Sequence, residues 1–272
     1  MRKPRAVTPA GKAGLDALLA DPGRALIGTD FDGTLAPIVA EPSAVRAHPG
    51  AVPVMARLAR AIGTLTVITG RPAAEAVGYG GLDAVPGLIV LGDYGRQRWQ
   101  DGTLAQPDPP PAVQAARQAL PGVLSRAGVP DGIWVEDKVH AVAVHVRRSA
   151  DPELALRVLR GPLDDLAARL GLSADQGRMV IELRPPGMDK GTALIGLVRE
   201  RAADPVVFCG DDLGDLPAFA AVRALHAEGI LGCAVASASA ESPQVAEQAD
   251  LVVDGPGGIV ALFDAIAADL GV

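Results

Sequence analysis

Carboxylates at the ends of apolar runs are the chemically informative residues of this chain. In Ala25-Leu26-Ile27-Gly28-Thr29-Asp30-Phe31-Asp32-Gly33-Thr34, two acids one residue apart follow a short apolar run that reads as a buried parallel strand, and Gly33 marks the sharp turn that ends it. While the backbone stays extended, both side chains leave the same face. Like charges that close raise each other's pKa unless a cation or a proton lies between them. A hard divalent ion such as Mg2+ resolves the conflict, since it takes carboxylate and carbonyl oxygens and leaves room for a substrate phosphate. One carboxylate could then attack phosphorus, giving an aspartyl phosphate. Alone, D-x-D-G is equally well an ordinary turn with Asp30 a solvated strand end.

Three other stretches change that balance. The run Leu65-Thr66-Val67-Ile68 stops at Thr69-Gly70-Arg71-Pro72, where a hydroxyl and backbone donors suit an anion, although a plain strand-to-helix turn explains the residues too. Asp189-Lys190-Gly191-Thr192 opens a helix with Asp189 as N-cap; a lysine in the first turn opposes the helix dipole at a cost of about 0.3–1 kcal/mol, which an anion nearby would offset. Val206-Val207-Phe208-Cys209 runs into Gly210-Asp211-Asp212-Leu213-Gly214-Asp215. Asp215 there is explained as a cap for a helix over Leu216–Leu225, whereas Asp211 and Asp212 have no such explanation. In a parallel sheet all strand ends lie on one edge, so these groups can converge on one metal and one phosphate.

The elements that must position them alternate, strand then helix, with short loops, which predicts an α/β fold with a doubly wound, Rossmann-like parallel sheet. Residues 1–13 read as irregular, a short helix covers Leu15–Leu19, and Val54, Leu58 and Ile62 define a crossover helix near Ala51–Ala61. A third strand, Leu88–Leu91, ends at Gly92-Asp93-Tyr94-Gly95. The proline-rich Gln106–Pro111 and Pro185-Pro186-Gly187 then bracket an inserted α+β cap domain, predicted at 109–186 between core segments 1–108 and 187–272. Inside the insert, Val142, Val144 and Val146 share one strand face, as do Met179, Ile181 and Leu183; Glu136, Lys138, His145, Arg147, Glu182 and Arg184 make the polar face. Strands at Leu231–Ala236 and Leu251–Val253 and a helix at Ile259–Leu270 complete the predicted core.

Composition narrows the classes. Hydrophobic residues make up 49% and aromatics 3%, so the cores must be built from Ala, Val, Leu and Ile. A formal charge of −7, with no basic tract beyond Arg2-Lys3-Pro4-Arg5, argues against nucleic acid and anionic membrane as partners. No apolar run approaches membrane-spanning length and no signal-peptide pattern follows the basic start, which predicts a cytoplasmic protein, taken as a monomer. Cys209 and Cys233, the two cysteines, do not make a disulfide framework.

The motif set resembles the haloacid dehalogenase superfamily: D-F-D-G-T, Thr69, Lys190 and G-D-D-x-x-D match its four motifs in order. More closely, D-F-D-G-T-L-A-P-I-V, I-T-G-R, V-E-D-K followed by A-V-H-V-R, E-L-R-P-P-G-M-D-K-G and G-D-D-L-G-D are similar to the trehalose-6-phosphate phosphatase family over nearly the whole chain. The resemblance implies Asp30 as nucleophile and Asp32 as general acid and then base. It implies Mg2+ held by Asp30, Asp211 and the backbone carbonyl of Asp32, with Asp212 and Asp215 in support. Thr69, Gly70 and Lys190 would bind the phosphoryl group, and Arg71, Glu136, Lys138 and Glu182 the sugar phosphate. Two stretches depart from the family pattern: Gly214-Asp215-Leu216-Pro217 stands where T-D-E-D is usual, and Gly92-Asp93-Tyr94-Gly95 where G-x-H-G is usual. Hydrolysis of another sugar phosphate, of the sucrose phosphate or mannosylglycerate phosphate type, and a phosphosugar mutase are the alternative activities; a non-enzymatic sugar-phosphate binder is disfavoured by the presence of both Asp30 and Asp32.

Overall fold

Short Val-, Ile- and Leu-rich runs cut by Gly, Pro and Asp become strands buried on both faces, which is what a helix-covered parallel sheet requires. The computed structural model describes residues 7–39, 41–129, 131–177, 179–238 and 243–272. Two compact units emerge: one runs to Gln106 and resumes at Asp189, and the other is Pro107–Met188.

The larger unit opens with α1 (Pro9–Ala20), whose N-cap Thr8 accepts a hydrogen bond from the Gly11 amide. This cap and Pro9 start the helix four residues before the expected end of the irregular stretch. Then come β1 (Leu26–Thr29), α2 (Ala51–Leu58), β2 (Thr64–Ile68), α3 (Ala73–Gly80) and β3 (Ile89–Gly92). Two antiparallel strands extend the sheet, β4 (Gln97–Gln100) and β5 (Thr103–Ala105); Gln97-Arg98-Trp99-Gln100 gave little apolar alternation by which to foresee them.

In the smaller unit follow α4 (Pro111–Ala127), β6 (Trp134–Lys138), β7 (Ala141–His145), α5 (Pro152–Leu170), β8 (Ser173–Gly177) and β9 (Val180–Arg184). The larger unit then continues with α6 (Lys190–Arg201), β10 (Val206–Gly210), α7 (Leu216–Ala227), β11 (Gly232–Ser237), α8 (Pro243–Gln248), β12 (Leu251–Val253) and α9 (Gly255–Asp269).

The large sheet has the order β12-β11-β10-β1-β2-β3-β4-β5, with β12 through β3 all parallel. Chain order runs outward in opposite directions from the β1/β10 pair, so the sheet's switch point lies there, and ligands of such sheets bind at the carboxyl ends of those strands. Alternate residues serve two separate cores: Ile27, Val67, Val207 and Val235 pack with α1, α2, α3 and α9, while Leu26, Ile68, Phe208 and Ala234 pack with α6 and α7. The register Thr29↔Cys209 and Thr29↔Val67 brings the ends of β10, β1 and β2 level.

The smaller unit is an antiparallel sheet ordered β6-β7-β9-β8. Val142, Val144, Ile181 and Leu183 are buried against Val113 and Leu120 of α4 and Leu159 and Leu163 of α5. The opposite face presents Glu136, Lys138, His145, Glu182 and Arg184, as alternation requires. Arg147 lies beyond β7 in an exposed turn, and Met179, at φ +58°, precedes β9 rather than belonging to it. Arg178 lies outside the described residues.

Phe208 is fully buried in β10, edge-on to Phe219 of α7 at 6.3 Å, directly beneath the strand end that carries Asp211. Phe208→Ala should destabilise by about 3–5 kcal/mol, because transfer and cavity terms add. Urea unfolding checks this; a loss below about 1 kcal/mol would mean that β10 does not hold the larger unit together.

Candidate active site

The edge is built from three neighbouring strand ends and one helix start. Asp30 follows β1, Thr69 follows β2, Asp211 follows β10, and Lys190 is the first residue of α6 behind its N-cap Asp189, whose side chain accepts from the Thr192 amide. The Asp30 amide donates to the Cys209 carbonyl at 2.8 Å, which carries the β1–β10 pairing one residue past the strand. Strand geometry ends at Thr29; Asp30 just beyond it is buried, whereas Asp32 remains partly exposed.

Lys190 is the centre of the buried cluster. Its ammonium lies 2.8 Å from Asp30 Oδ1 and 2.7 Å from Asp215 Oδ1, all three side chains being almost wholly buried. Asp30, Asp211 and Asp215 bring ligand oxygens within 4.8 Å of one another. Asp215 was expected as a helix cap or a support. It does complete a capping box, with Oδ2 accepting from the amides of Asp211 (2.9 Å) and Asp212 (3.1 Å), but its other oxygen takes Lys190. Asp212 points outward and caps Gly214 at 2.9 Å.

Three carboxylates around one ammonium cannot all be ionised at low cost. Burial pushes the Asp30 carboxyl well above the usual range; Lys190 opposes this, and Asp215, Asp212 and Asp211 reinforce it. Burial and then the charges of Asp215 and Asp212 push Asp211 up to about 7. Asp215 is raised by burial against the pull of Lys190. Burial alone would lower Lys190, but Asp215 and Asp30 outweigh it, so the ammonium stays charged. With the carboxylates ionised the cluster carries two uncompensated negative charges, which a divalent cation would neutralise, and carboxylate oxygens are the donors hard cations take. The donor set therefore fits a metal ion. Asp215 has both oxygens engaged already, which leaves Asp30 and Asp211 as the side chains able to turn to it.

Close backbone approach makes the cluster possible. A β-carbon on Gly33 would fall 2.1 Å from an Asp211 oxygen, and φ there is +78°, so glycine is required twice over. Thr34 Oγ1 donates to Asp211 at 3.2 Å, and Ser237 Oγ from β11 donates to the Gly33 carbonyl at 2.7 Å. Sequence reading missed both hydroxyls; Thr34 had a signal, as the residue after the Asp-Gly turn, whereas Ser237 had none.

Asp32 and Arg71 form a separate pair. Arg71 Nε lies 2.6 Å from Oδ2 and its Nη2 2.8 Å from Oδ1, a bidentate fork, and the guanidinium also sits 5.7 Å above the Tyr79 ring. Thr69 is buried and its hydroxyl oxygen accepts from the Arg71 amide at 3.2 Å, which leaves its own proton to donate. Gly70 lies next to the Tyr94 hydroxyl.

The remaining expected residues belong to the smaller unit. Lys138 Nζ donates to Glu182 Oε2 at 2.7 Å, and Glu136 pairs with His145 Nε2 at 2.7 Å. His145 stacks on Trp134 at 4.2 Å, and Arg148 covers Trp134 at 4.7 Å. Glu182 is 7% exposed, and its Oε1 is buried with no hydrogen-bond partner among the described residues.

The fold is shared with solved haloacid dehalogenase-like hydrolases. One from Bacteroides thetaiotaomicron superposes with a TM-score of 0.64 at 16% identity over 89% of this chain and 98% of that one. A trehalose-6-phosphate phosphatase structure from Aspergillus fumigatus gives 0.72 at 21% identity over 97% and 99%. The sequence profile of the family described as trehalose-phosphatase matches residues 28–256, and the chain belongs to that family. Among curated relatives, a trehalose-phosphate phosphatase of Mycobacterium avium (strain 104) is 35% identical over 212 residues, which are 74% of this chain and 52% of the relative. The chain spans between 50% and 61% of the length of the first relatives it matches.

Removing the ammonium strands the carboxylates, so Lys190→Met in chelator at pH 8 should cost about 3–5 kcal/mol of stability. The pH sign follows from the raised carboxyls: folded Asp211 keeps its proton up to about 7 whereas the unfolded chain releases it near 3.8, so the protein takes up protons on folding between those values and is stabilised by acidification. Much of the loss should be recovered at pH 5. Urea unfolding at the two pH values decides, and a penalty independent of pH would mean that the raised carboxyls do not set the cost.

Proposed function

We propose that this chain is a Mg2+-dependent phosphatase that hydrolyses trehalose 6-phosphate through an aspartyl phosphate on Asp30. The observation that carries the reading is the buried Asp30–Lys190–Asp215 contact with Asp211 beside it, at the switch point of a sheet belonging to a trehalose-phosphatase family member. Asp30 and Asp211, with the carbonyl of Asp32, would hold the metal ion, which when bound offsets the charge of these carboxylates and of the incoming phosphate.

The chain's own residues divide the chemistry. Thr69, the Gly70 amide and Lys190 bind phosphoryl oxygens, and Lys190 stays close to Asp30 as charge develops. An Asp30 oxygen attacks phosphorus and forms the acyl phosphate, while the P–O bond to the sugar breaks and the leaving oxygen takes a proton from Asp32, which has taken that proton from solvent on leaving Arg71. Asp32, now a carboxylate, takes a proton from water; that water attacks phosphorus, the bond to Asp30 breaks, and inorganic phosphate leaves. For either transfer Asp32 must let go of Arg71, which engages both its oxygens in the resting arrangement. An anionic substrate offers Arg71 the replacement partner.

The sugar is read by Glu136, Lys138 and Glu182. Support comes from Glu182 Oε1, a buried acceptor whose solvation has been removed and which a sugar hydroxyl would satisfy. No helix among the described residues is long and apolar enough to cross a membrane, and both cysteines are buried and free; we take the working compartment to be the cytoplasm.

Asp30→Asn should abolish phosphate release, since an amide is a poor nucleophile and the substitution also removes a charge from the metal site. Chelation should do the same to the parent enzyme, with Mg2+ restoring it; residual turnover of Asp30→Asn near the parent's would end the nucleophile assignment. Glu182→Ala should lower kcat/KM for trehalose 6-phosphate by about ten- to a hundredfold, while p-nitrophenyl phosphate, which has no sugar hydroxyls, changes by a few fold at most. Equal losses on the two substrates in a folded variant would show that the polar face of the smaller unit does not read sugar.

A further inference from the structure

At the end of β3 the backbone does something unusual. Asp93 (φ +47°) and Tyr94 (φ +54°) are consecutive left-handed residues, neither of them glycine. Side chains with a β-carbon rarely take that conformation, and such residues persist only where the surroundings over-determine them, most often at ligand sites. Here the surroundings are the phosphate-binding loop. The Thr69 amide donates to the Leu91 carbonyl (2.9 Å), the Asp93 amide to the Arg71 carbonyl (2.9 Å), and the Tyr94 amide to the Thr69 carbonyl (3.0 Å). On the other side, a β-carbon on Gly95 would fall 2.8 Å from Ala193 Cβ in the first turn of α6. The left-handed step is therefore wedged between the two segments that supply Thr69 and Lys190.

The Tyr94 side chain uses that position. A β-carbon on Gly70 would lie 2.7 Å from the Tyr94 oxygen and 2.8 Å from its Cζ, so the polar end of the phenol rests on the glycine whose amide faces the phosphate in the reading above. Gly70 is not among the residues with positive φ; what requires glycine there is the phenol itself. Burial then orders the groups along the site. Asp30, Thr69 and Lys190 are exposed by 4%, 1% and 4%, whereas Tyr94 is only half-buried. The phosphoryl ligands lie deep and the phenol lies at the outer side, where the esterified group of a phosphate monoester must be. A phenol is also a neutral donor, and so adds a hydrogen bond without adding charge to an already charged cluster.

We propose that Tyr94 is a specificity-determining residue whose hydroxyl donates a hydrogen bond to the sugar side of the phosphate monoester. This rests on the phosphatase reading above and adds to it a residue of the larger unit that discriminates between esters. The test is Tyr94→Phe, which keeps ring, backbone and packing and removes one oxygen. The specificity ratio, kcat/KM for trehalose 6-phosphate over kcat/KM for p-nitrophenyl phosphate, should fall about tenfold, with the change mainly in KM for the sugar phosphate and with the melting temperature held. Inhibition by inorganic phosphate, which has no ester group, should keep its constant within about twofold. An unchanged ratio overturns the proposal, and so does a parallel loss on both esters with weakened phosphate inhibition, which would make Tyr94 a phosphoryl ligand. Failure of the underlying reading shows separately, as a parent enzyme that does not prefer trehalose 6-phosphate; the same ratio is then taken with the sugar phosphate the parent does prefer.

Discussion

The site depends on one buried cation. Lys190 sits in the first turn of α6, where the helix dipole disfavours positive charge, and in a position from which water is excluded. It is tolerable there only because Asp30 and Asp215 each lie within hydrogen-bond reach. The relation is mutual: without the ammonium, the two carboxylates and neighbouring Asp211 would face one another unshielded in a dry site. Such arrangements contribute little net stability against an apolar packing of the same volume, so their value lies in what they can bind or do. Here the excess of negative charge suits a hard cation, and the ammonium beside it suits a phosphate.

The rest of the larger unit serves that contact through close approach and rigid support. Gly33 and Gly210 leave room where a side chain would overlap Asp211 and Asp215. Asp215 spends one oxygen on Lys190 and the other on two backbone amides, so it braces the ammonium from behind while Asp30 and Asp211 keep oxygens available. Beneath these loops, two aliphatic cores on opposite faces of the sheet hold the ends of β10, β1 and β2 level. Because Asp30, Thr69 and Asp211 are each the first residue past a strand end, ångström-scale shifts in the strands would reach the reacting atoms.

The smaller unit handles polarity in another way. Its sheet gives one face to an apolar core and the other to charged groups that are already paired among themselves: Lys138 with Glu182, Glu136 with His145, Arg184 with Asp175. Glu182, paired with Lys138 through one oxygen, has its other oxygen buried with no donor among the described residues.

The sequence by itself determined the alternation of strand and helix, the doubly wound parallel sheet, the inserted α+β domain, which strand ends carry acids and hydroxyl, and which helix start carries the lysine. All of these follow from local periodicity, turn chemistry and the rule that parallel strands end on one edge. Partners across the chain were decided only by the tertiary structure. Asp215 reads as a helix cap from its neighbours alone, yet it also holds Lys190, 25 residues away. Asp30 and Asp32 look like one pair at a spacing of two, but β1 ends at Thr29, and Asp32 is taken by Arg71, 39 residues on. The antiparallel strands β4 and β5 and the left-handed Asp93-Tyr94 step carried almost no local signal, because their conformations are set by hydrogen bonds to β3 and to the Thr69–Arg71 loop. Periodicity reports which side of an element is buried; it does not report which buried charge lies opposite, and in this protein that second fact determines the site.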